Sequence, residues 1–476
     1  MLMIAAFSAN AGLAFALGLV VAHFLGPESF GRYGVAMALA VVVNTLLFEW
    51  LRLSATRFYS ERGREADPGI RATLELGYAL AALGLAGLLA AAWIAGADLG
   101  LPTALVAAAT LAGLGMGLFD YQAALARARF LERTYAGLVL AKNAFAFVLM
   151  TAGAWRGEPA LVLLGSAIAA GAAILIARRR LADPEAGYRL ARRDVAASFA
   201  AYALPLVAAN LMYQAMPLMN RSVLAARDGF GEAGQFALAA DVGLRLFMTV
   251  GSALDILLFQ LAVRADEAAG RAEAERQVAR NVAIVAAVLA PFAAGLWLVM
   301  PALEALIVPA AFRGPFAAYM DWFLPGFLAF ALIQYALNPA FQLRRRTGPV
   351  VGAALAALAV NAGLLLVLPR AMGPMGVAAA QLAGLATAAA IVAGLACRAG
   401  LRLPWRDLAF VGAGAAAMVA AVLPLRGLDP VPLLAVAVPV GIAVYGGLVL
   451  LFDVAGLRSL AARRIRPRLA AAQQVR

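Results

Sequence analysis

The segment FGRYGVAMA at residues 30–38 is echoed by AGQFALAAD at 233–241. Gly31 matches Gly234, Tyr33 matches Phe236, Val35 matches Leu238 and Ala36 matches Ala239, each pair 203 positions apart. Both copies sit where one long apolar run ends and the next begins. A second echo lies further along. Asn143-Ala144 recurs as Asn361-Ala362, each 16 residues after an arginine-bearing loop at Arg127 or Arg345, with an offset of 218. The two offsets differ by 15, so the second half carries about that many extra residues. Ala-rich helices do resemble one another by chance, but two echoes in the same order argue for two like halves. In a membrane, such halves work against each other, the usual build of a transporter.

Composition places the chain in a bilayer. It is 64% hydrophobic and 14% charged, where a soluble domain holds about 45–50% and about 25%; its mean hydropathy is +0.87. Runs near the ~20 residues that cross a membrane fall at 3–23, 33–51, 74–95, 102–119, 135–154, 159–177, 197–219, 234–260, 281–308, 317–341, 349–368, 375–397, 408–425 and 432–455. That is fourteen spans, with twelve or thirteen if the soft edges at 102–119 and after 407 are drawn differently. The first run lacks a basic start and a cleavage site, and reads as a retained helix. The longest polar interruptions, 178–194 and 262–280, leave no room for a soluble domain.

A net charge of +13 would suggest nucleic acid in a soluble protein. Its distribution argues otherwise. With fourteen spans and a cytoplasmic N-terminus, 30 of the 39 Lys and Arg fall in cytoplasmic connections and the tail, seven in the opposite loops, and two, Lys142 and Arg245, inside spans. The positive-inside rule accounts for the basic balance, with attraction to anionic membrane lipids as a by-product. No nucleic-acid partner is needed. Cys397 and His23 are the only residues of their kinds, so no internal disulfide, Cys/His metal site or cofactor is expected. No GxSxG, HExxH or Walker A motif occurs, and the chain does not read as an enzyme.

The expected fold class is all-α integral membrane. About fourteen helices form two parallel six-helix lobes, 1–193 and 194–406, followed by two further helices at 407–456 and a basic cytoplasmic tail at 457–476. An even number of spans per lobe makes the repeats parallel. The segment RADEAAGRAEAERQVAR (264–280) reads as an interfacial helix between two spans. Small-residue runs such as LAGLGMGLF (111–119) and GAGAAAM (412–418) read as close-packing surfaces. The intramembrane prolines Pro205, Pro217, Pro291, Pro301, Pro325 and Pro339 shape helices or act as hinges.

Function is sought in ionisable residues within spans, each of which costs several kcal/mol unless it faces a cavity or a partner. Lys142 has Glu132 as its sequence-near acid and reads as facing a cavity. Asp241 and Arg245, four apart, share a helical face and either neutralise each other or line a cavity. Asp255 lies further along that helix, Glu49 and Arg52 close the second span, and Arg221 ends the seventh. Arg52 and Arg57 read first as positive-inside anchors. Asn10, Asn44, Asn210, Gln214, Gln334, Asn338, Asn361 and Gln381 either line a hydrated cavity or bond neighbouring helices. A lumen with surplus cations suits an anionic ligand such as a pyrophosphate, which Arg binds through two parallel hydrogen bonds.

FLGPESFGRYGVAMALA (24–40) resembles the LGPxxFGxYxxAxAL signature after the first helix of Wzx-type polysaccharide flippases, members of the MOP superfamily that also holds MATE and MurJ-like proteins. FEWLRLSATRFYSE (48–61), with Arg57, resembles the end of their second helix; YALPLVAAN (202–210) and QFALAADVG (235–243) resemble the openings of their seventh and eighth. The likeness is weakest after 407. Their seventh helix commonly ends in Asp-Arg, whereas Asn220-Arg221 stands here, which puts in doubt any coupling role for that acid.

The resemblance implies a V-shaped bundle that moves undecaprenyl-pyrophosphate-linked oligosaccharide across the bacterial inner membrane by alternating access. Its partners would be the lipid-linked oligosaccharide, membrane lipids, and a polysaccharide polymerase and chain-length regulator. Headgroup candidates are Arg245, Lys142, Arg52, Arg57 and Arg221; coupling candidates are Asp241, Asp255 and Glu49. The rivals are a MATE-like multidrug antiporter, whose cationic ligands call for acids in the cleft, and an O-antigen polymerase or ligase, which calls for a larger outward loop.

Overall fold

The apolar runs fold as helices because a backbone in lipid must satisfy its own hydrogen bonds. The structure, a computed structural model, describes residues 2–60, 67–97, 100–343, 348–456 and 458, and no strand occurs among them. Arg62, Arg64, Arg344, Arg345, Arg346, the tail beyond Arg458 and the side chain of Asn10 lie outside the described residues. The helices are α1 (Leu2–Leu47), α2 (Glu49–Phe58), α3 (Gly69–Ile94), α4 (Thr103–Ala128), α5 (Glu132–Trp155), α6 (Pro159–Leu181), α7 (Arg193–Arg227) and α8 (Phe230–Ala269). They continue as α9 (Arg271–Ile307), α10 (Pro315–Leu332), α11 (Asn338–Leu343), α12 (Gly348–Leu365), α13 (Leu368–Met372), α14 (Met375–Arg398), α15 (Trp405–Val422) and α16 (Pro430–Leu451). Among the described residues, thirteen are long and apolar enough to span a membrane. The chain is a multi-pass membrane protein.

Thirteen helices hold the fourteen expected runs because the first two runs lie in one element, α1, which is broken only at Gly26. Gly26 has φ 67°, a left-handed conformation, and Pro27 opens the next segment, where its missing N–H leaves no bond unmade. Two other boundaries differ from expectation. α4 continues past 119 to Ala128, which brings Asp120 into the helix. The 264–280 segment is no separate interfacial helix: Gly270, φ 76°, divides it between the last turns of α8 and the first turns of α9. Its alternating charges favour helix, so both neighbours simply extend. α8 has 40 residues and rises about 60 Å, roughly twice the hydrocarbon thickness, and so carries its charged end clear of the apolar layer.

Two compact units divide the chain, Met1–Leu238 with Asn361–Val377, and Ala239–Val360 with Ala378–Arg476. In the first unit, Phe48, Leu51, Leu74, Tyr121, Leu125 and Phe199 form a core joining α2, α3, α4 and α7. A second core, including Phe119, Leu138, Ala173 and Leu181, joins α4, α5 and α6. Small residues set these distances. A Cβ on Gly113 would sit 2.9 Å from the Ala40 carbonyl oxygen, one on Gly117 would sit 2.6 Å from Phe48, and one on Gly153 would sit 2.8 Å from the α6 backbone. In the second unit, α15 and α16 pack on α9 through Val411, Met418, Leu433 and Tyr445, and the Tyr445 hydroxyl donates to the Ala287 carbonyl at 2.7 Å. There, too, the five-residue π turn Ile333–Leu337 leads into Asn338-Pro339.

The two repeated segments meet inside the first unit. A Cβ on Gly31 would lie 2.7 Å from the carbonyl carbon of Phe230, and one on Gly234 would lie 2.9 Å from that of Pro27. Pro27 and Phe230 are themselves 203 apart, as are Gly26 and Gly229, both left-handed at φ 67° and 89°. A Cβ on Gly34 would meet that of its counterpart Ala237 at 3.0 Å. The crossing is therefore reciprocal, a local two-fold relation at which the two backbones touch.

Candidate functional site

α1, α2, α4, α5 and α7 bring six polar side chains together in the first unit. On α2, Glu49 is only 8% exposed, and Arg52 grips it as a fork, Nε donating to Oε2 at 3.0 Å and Nη2 to Oε1. From α7, the Asn210 amide also donates to Glu49 Oε1, at 3.3 Å. From α1, the Asn44 amide donates to Asp120 Oδ2 on α4 at 3.3 Å. Lys142, on α5, places Nζ 4.6 Å from the centre of the Phe119 ring, and Asp120 lies within electrostatic reach of Lys142, Arg52 and Glu49.

Helix geometry explains the meeting of Asp120 and Lys142. They stand eight residues before the end of α4 and ten after the start of α5. Those distances are about 12 and about 15 Å of rise from the shared turn, so the two charges reach the same depth. Counted as ionised, the cluster holds two cations and two anions. Such a group is tolerable among apolar helices because its opposite charges lie within electrostatic reach of one another.

The expected site residues thus separate. Arg52, Lys142 and Glu49 share this cluster, while Arg57 is exposed on α2, five residues beyond Arg52. Arg221 is 4% exposed and its Nη1 donates to the Gly34 carbonyl at 2.9 Å, beside the repeat crossing. Its neighbour Asn220, fully buried, accepts from the Asn361 amide at 2.8 Å. Arg245, Asp241 and Asp255 belong to the second unit. Arg245 is exposed and Asp241 half-buried, one turn apart on α8. Asp255, also half-buried, lies within electrostatic reach of Tyr335 in the π turn. The Tyr335 hydroxyl sits 3.1 Å from the Met248 sulfur, and its ring fills the space that a Cβ on Gly251 would need.

Asp120 was not among the residues expected to act. The apolar run 102–119 stops one residue short of it, although an acid followed by six residues without another charge (YQAALA) is a visible signal that the helix continues. Arg71, in the first turn of α3, also takes part in a buried network. It is 6% exposed, its Nε donates to Glu75 at 2.7 Å, and Nη1 bonds the Leu181 carbonyl. Beside it the Tyr59 hydroxyl donates to Asp183 at 2.7 Å. Burial first, and then that hydrogen bond, push the Tyr59 hydroxyl up to about 12. This second network ties α2, α3 and the end of α6 together.

The described residues thus form an all-α, multi-pass bundle with a balanced charge cluster among apolar helices. No protein-family model matches the chain, and no curated protein matches it in sequence. In three dimensions it is similar to the lipid II flippase MurJ in an inward closed conformation, with a TM-score of 0.74 at 14% identity, covering 97% of this chain and 99% of that one. It is also similar to an inward-facing multidrug resistance MATE family transporter of the MOP superfamily, with a TM-score of 0.58 at 13% identity, over 82% of this chain and 94% of that one. A eukaryotic MATE transporter matches with a TM-score of 0.50 at 13% identity, over 86% and 98%. At these identities the likeness is one of fold. The chain has the fold of MOP-superfamily transporters.

Proposed function

We propose that the protein is a flippase that moves undecaprenyl-pyrophosphate-linked oligosaccharide across the bacterial inner membrane by alternating access, for assembly of surface polysaccharide. The observation that carries this reading is the joining of Arg52 and Lys142 in one cluster among apolar helices, where a pyrophosphate can exchange with the resident carboxylates as their partner. The fold shared with a named lipid flippase supports it, as do the Wzx-like segments. In this reading the repeats 1–193 and 194–406 are the moving lobes, and both termini are cytoplasmic. Arg245 and Arg57 contribute to the headgroup site, and Asp241, Asp255 and Glu49 to ion coupling. Arg221 belongs to the helix crossing, where its guanidinium already serves Gly34. A polymerase and a chain-length regulator would take up the product.

The balanced charge of the cluster also favours a second reading, a MATE-like antiporter of cationic compounds, for which Glu49 and Asp120 would be the ligand acids. Deleting the gene separates the two. Loss of surface glycan supports the flippase; normal glycan with altered drug tolerance refutes it. At matched membrane expression, Arg52→Ala, Lys142→Ala and Arg245→Ala each remove one charge-assisted contact, about 1.5–3 kcal/mol or roughly ten- to a hundredfold in affinity. Undiminished glycan export in all three would sink the site assignment.

A further inference from the structure

Asn44 holds an observation that the cluster's charge balance does not explain. It is 7% exposed, its amide nitrogen donates to Asp120, and its carbonyl oxygen Oδ1 is buried without a hydrogen-bond partner. A buried acceptor left unmet costs about 1–3 kcal/mol, so the amide holds one acceptor in reserve while its nitrogen serves Asp120. Turning the amide over brings Oδ1 toward Asp120. In that orientation it accepts from a protonated carboxyl, just as Nδ2 now donates to the ionised one. Asn44 can therefore serve Asp120 in both of its charge states.

We infer that Asp120 is a proton-binding residue whose protonation, received by Asn44, unmasks the positive charge of Lys142 for a phosphate-bearing lipid headgroup. The inference rests on the flippase reading and makes its coupling specific. The charged and polar groups around Asp120 are Asn44 on α1, Glu49 and Arg52 on α2, Lys142 on α5 and Asn210 on α7. α6, which packs against α4, carries no charged residue before Arg178. With both acids ionised, Arg52 and Lys142 are matched and the cluster is neutral. One proton taken from water onto an Asp120 carboxylate oxygen leaves a net charge of +1, and no other bond is made or broken. The proton and the anion then favour each other's binding by the same factor.

The test uses the full-length protein in nanodiscs and farnesyl pyrophosphate as probe, titrated calorimetrically in buffers of different ionisation enthalpy between about pH 6 and about pH 8. At the alkaline end the free probe is fully ionised, its last phosphate pKa being about 6, and the site's cations keep it so when bound, so proton uptake there reports on the protein. Wild type should take up about one more proton on binding than Asp120→Asn, which carries the neutral form permanently. Asp120→Asn should bind on the order of tenfold tighter at the alkaline end. Asn44→Leu, a second route should Asp120→Asn fail to assemble, should also reduce proton uptake below that of wild type. Equal proton uptake by wild type and either variant, with binding retained, overturns the inference and leaves the flippase reading standing. No binding by wild type at any pH overturns the anionic-substrate reading itself, and the coupling with it.

Discussion

Replacing Gly31 with alanine tests whether the repeat crossing is a true backbone contact. The new Cβ would lie 2.7 Å from the Phe230 carbonyl carbon and 2.9 Å from the Gly234 nitrogen. Both are main-chain atoms, so no side chain can rotate out of the way. The Phe230 carbonyl oxygen is closer still, so the two helices must part by about 1.5 Å to reach ordinary contact, and overpacking of this kind costs about 3 kcal/mol, the upper end of the usual range, or more. Alanine also gains up to about 1 kcal/mol over glycine within a helix, which partly offsets that cost. Gly171→Ala, on α6, has nothing within 4 Å of its new Cβ and keeps the gain alone. Unfolding of the purified protein by SDS in mixed micelles, followed by tryptophan fluorescence, should therefore rank Gly171→Ala above wild type and Gly31→Ala below it. Gly234→Ala strains the same crossing from the other side. Once one substitution has parted the helices the second should cost less, and the double variant should fall short of the sum by about 1 kcal/mol. A Gly31→Ala protein as stable as Gly171→Ala, or strictly additive costs, would refute the reciprocal contact.

Two further outcomes follow from buried polar pairs. Asn361→Leu leaves the Asn220 oxygen without its donor in a fully buried site and should cost about 1–3 kcal/mol in the same assay; a neutral result would show that the pair contributes nothing. Tyr59→Phe removes the hydrogen bond to Asp183, worth about 1 kcal/mol, and its effect should depend on pH. The hydroxyl ionises near about 10 in an unfolded chain but at about 12 in the fold. The folded state therefore holds the proton that the unfolded state releases, and this stabilisation, complete below the unfolded value, fades as pH rises through the folded one. Melting temperatures measured across that range should show the wild-type advantage over Tyr59→Phe shrinking; a constant gap would contradict the assignment.

Legibility differed between the fold and the site. The membrane class and nearly every helix could be read from runs of apolar residues, because only a helix of about 20 such residues satisfies its backbone in hydrocarbon. Their edges were less secure. Asp120 lay just outside an expected span, and the charged 264–280 segment looked like a separate element, because hydropathy marks where lipid ends and not where a helix ends. The Glu49–Arg52 pair was readable, being three residues apart on one helix. Lys142 was readable as a buried charge, but its sequence-near acid, Glu132, was not the one the fold provides.

By itself, the sequence determined that this chain is a helical membrane protein with a repeated Gly-rich segment and a few charges that apolar helices must accommodate. Local chemistry is enough for that, since each helix is specified by its own residues. Which helices touch was decided only by the tertiary structure. In lipid, every helix face is apolar, so no pattern of polar and apolar positions says which face meets a neighbour. That is why Asp120 and Lys142, on different helices, come within electrostatic reach only in the fold, and why Arg221 is buried against Gly34. The repeated glycines had marked two similar places in the chain; close packing made them one place, where Gly31 and Gly234 leave just enough room for the backbone of the other copy.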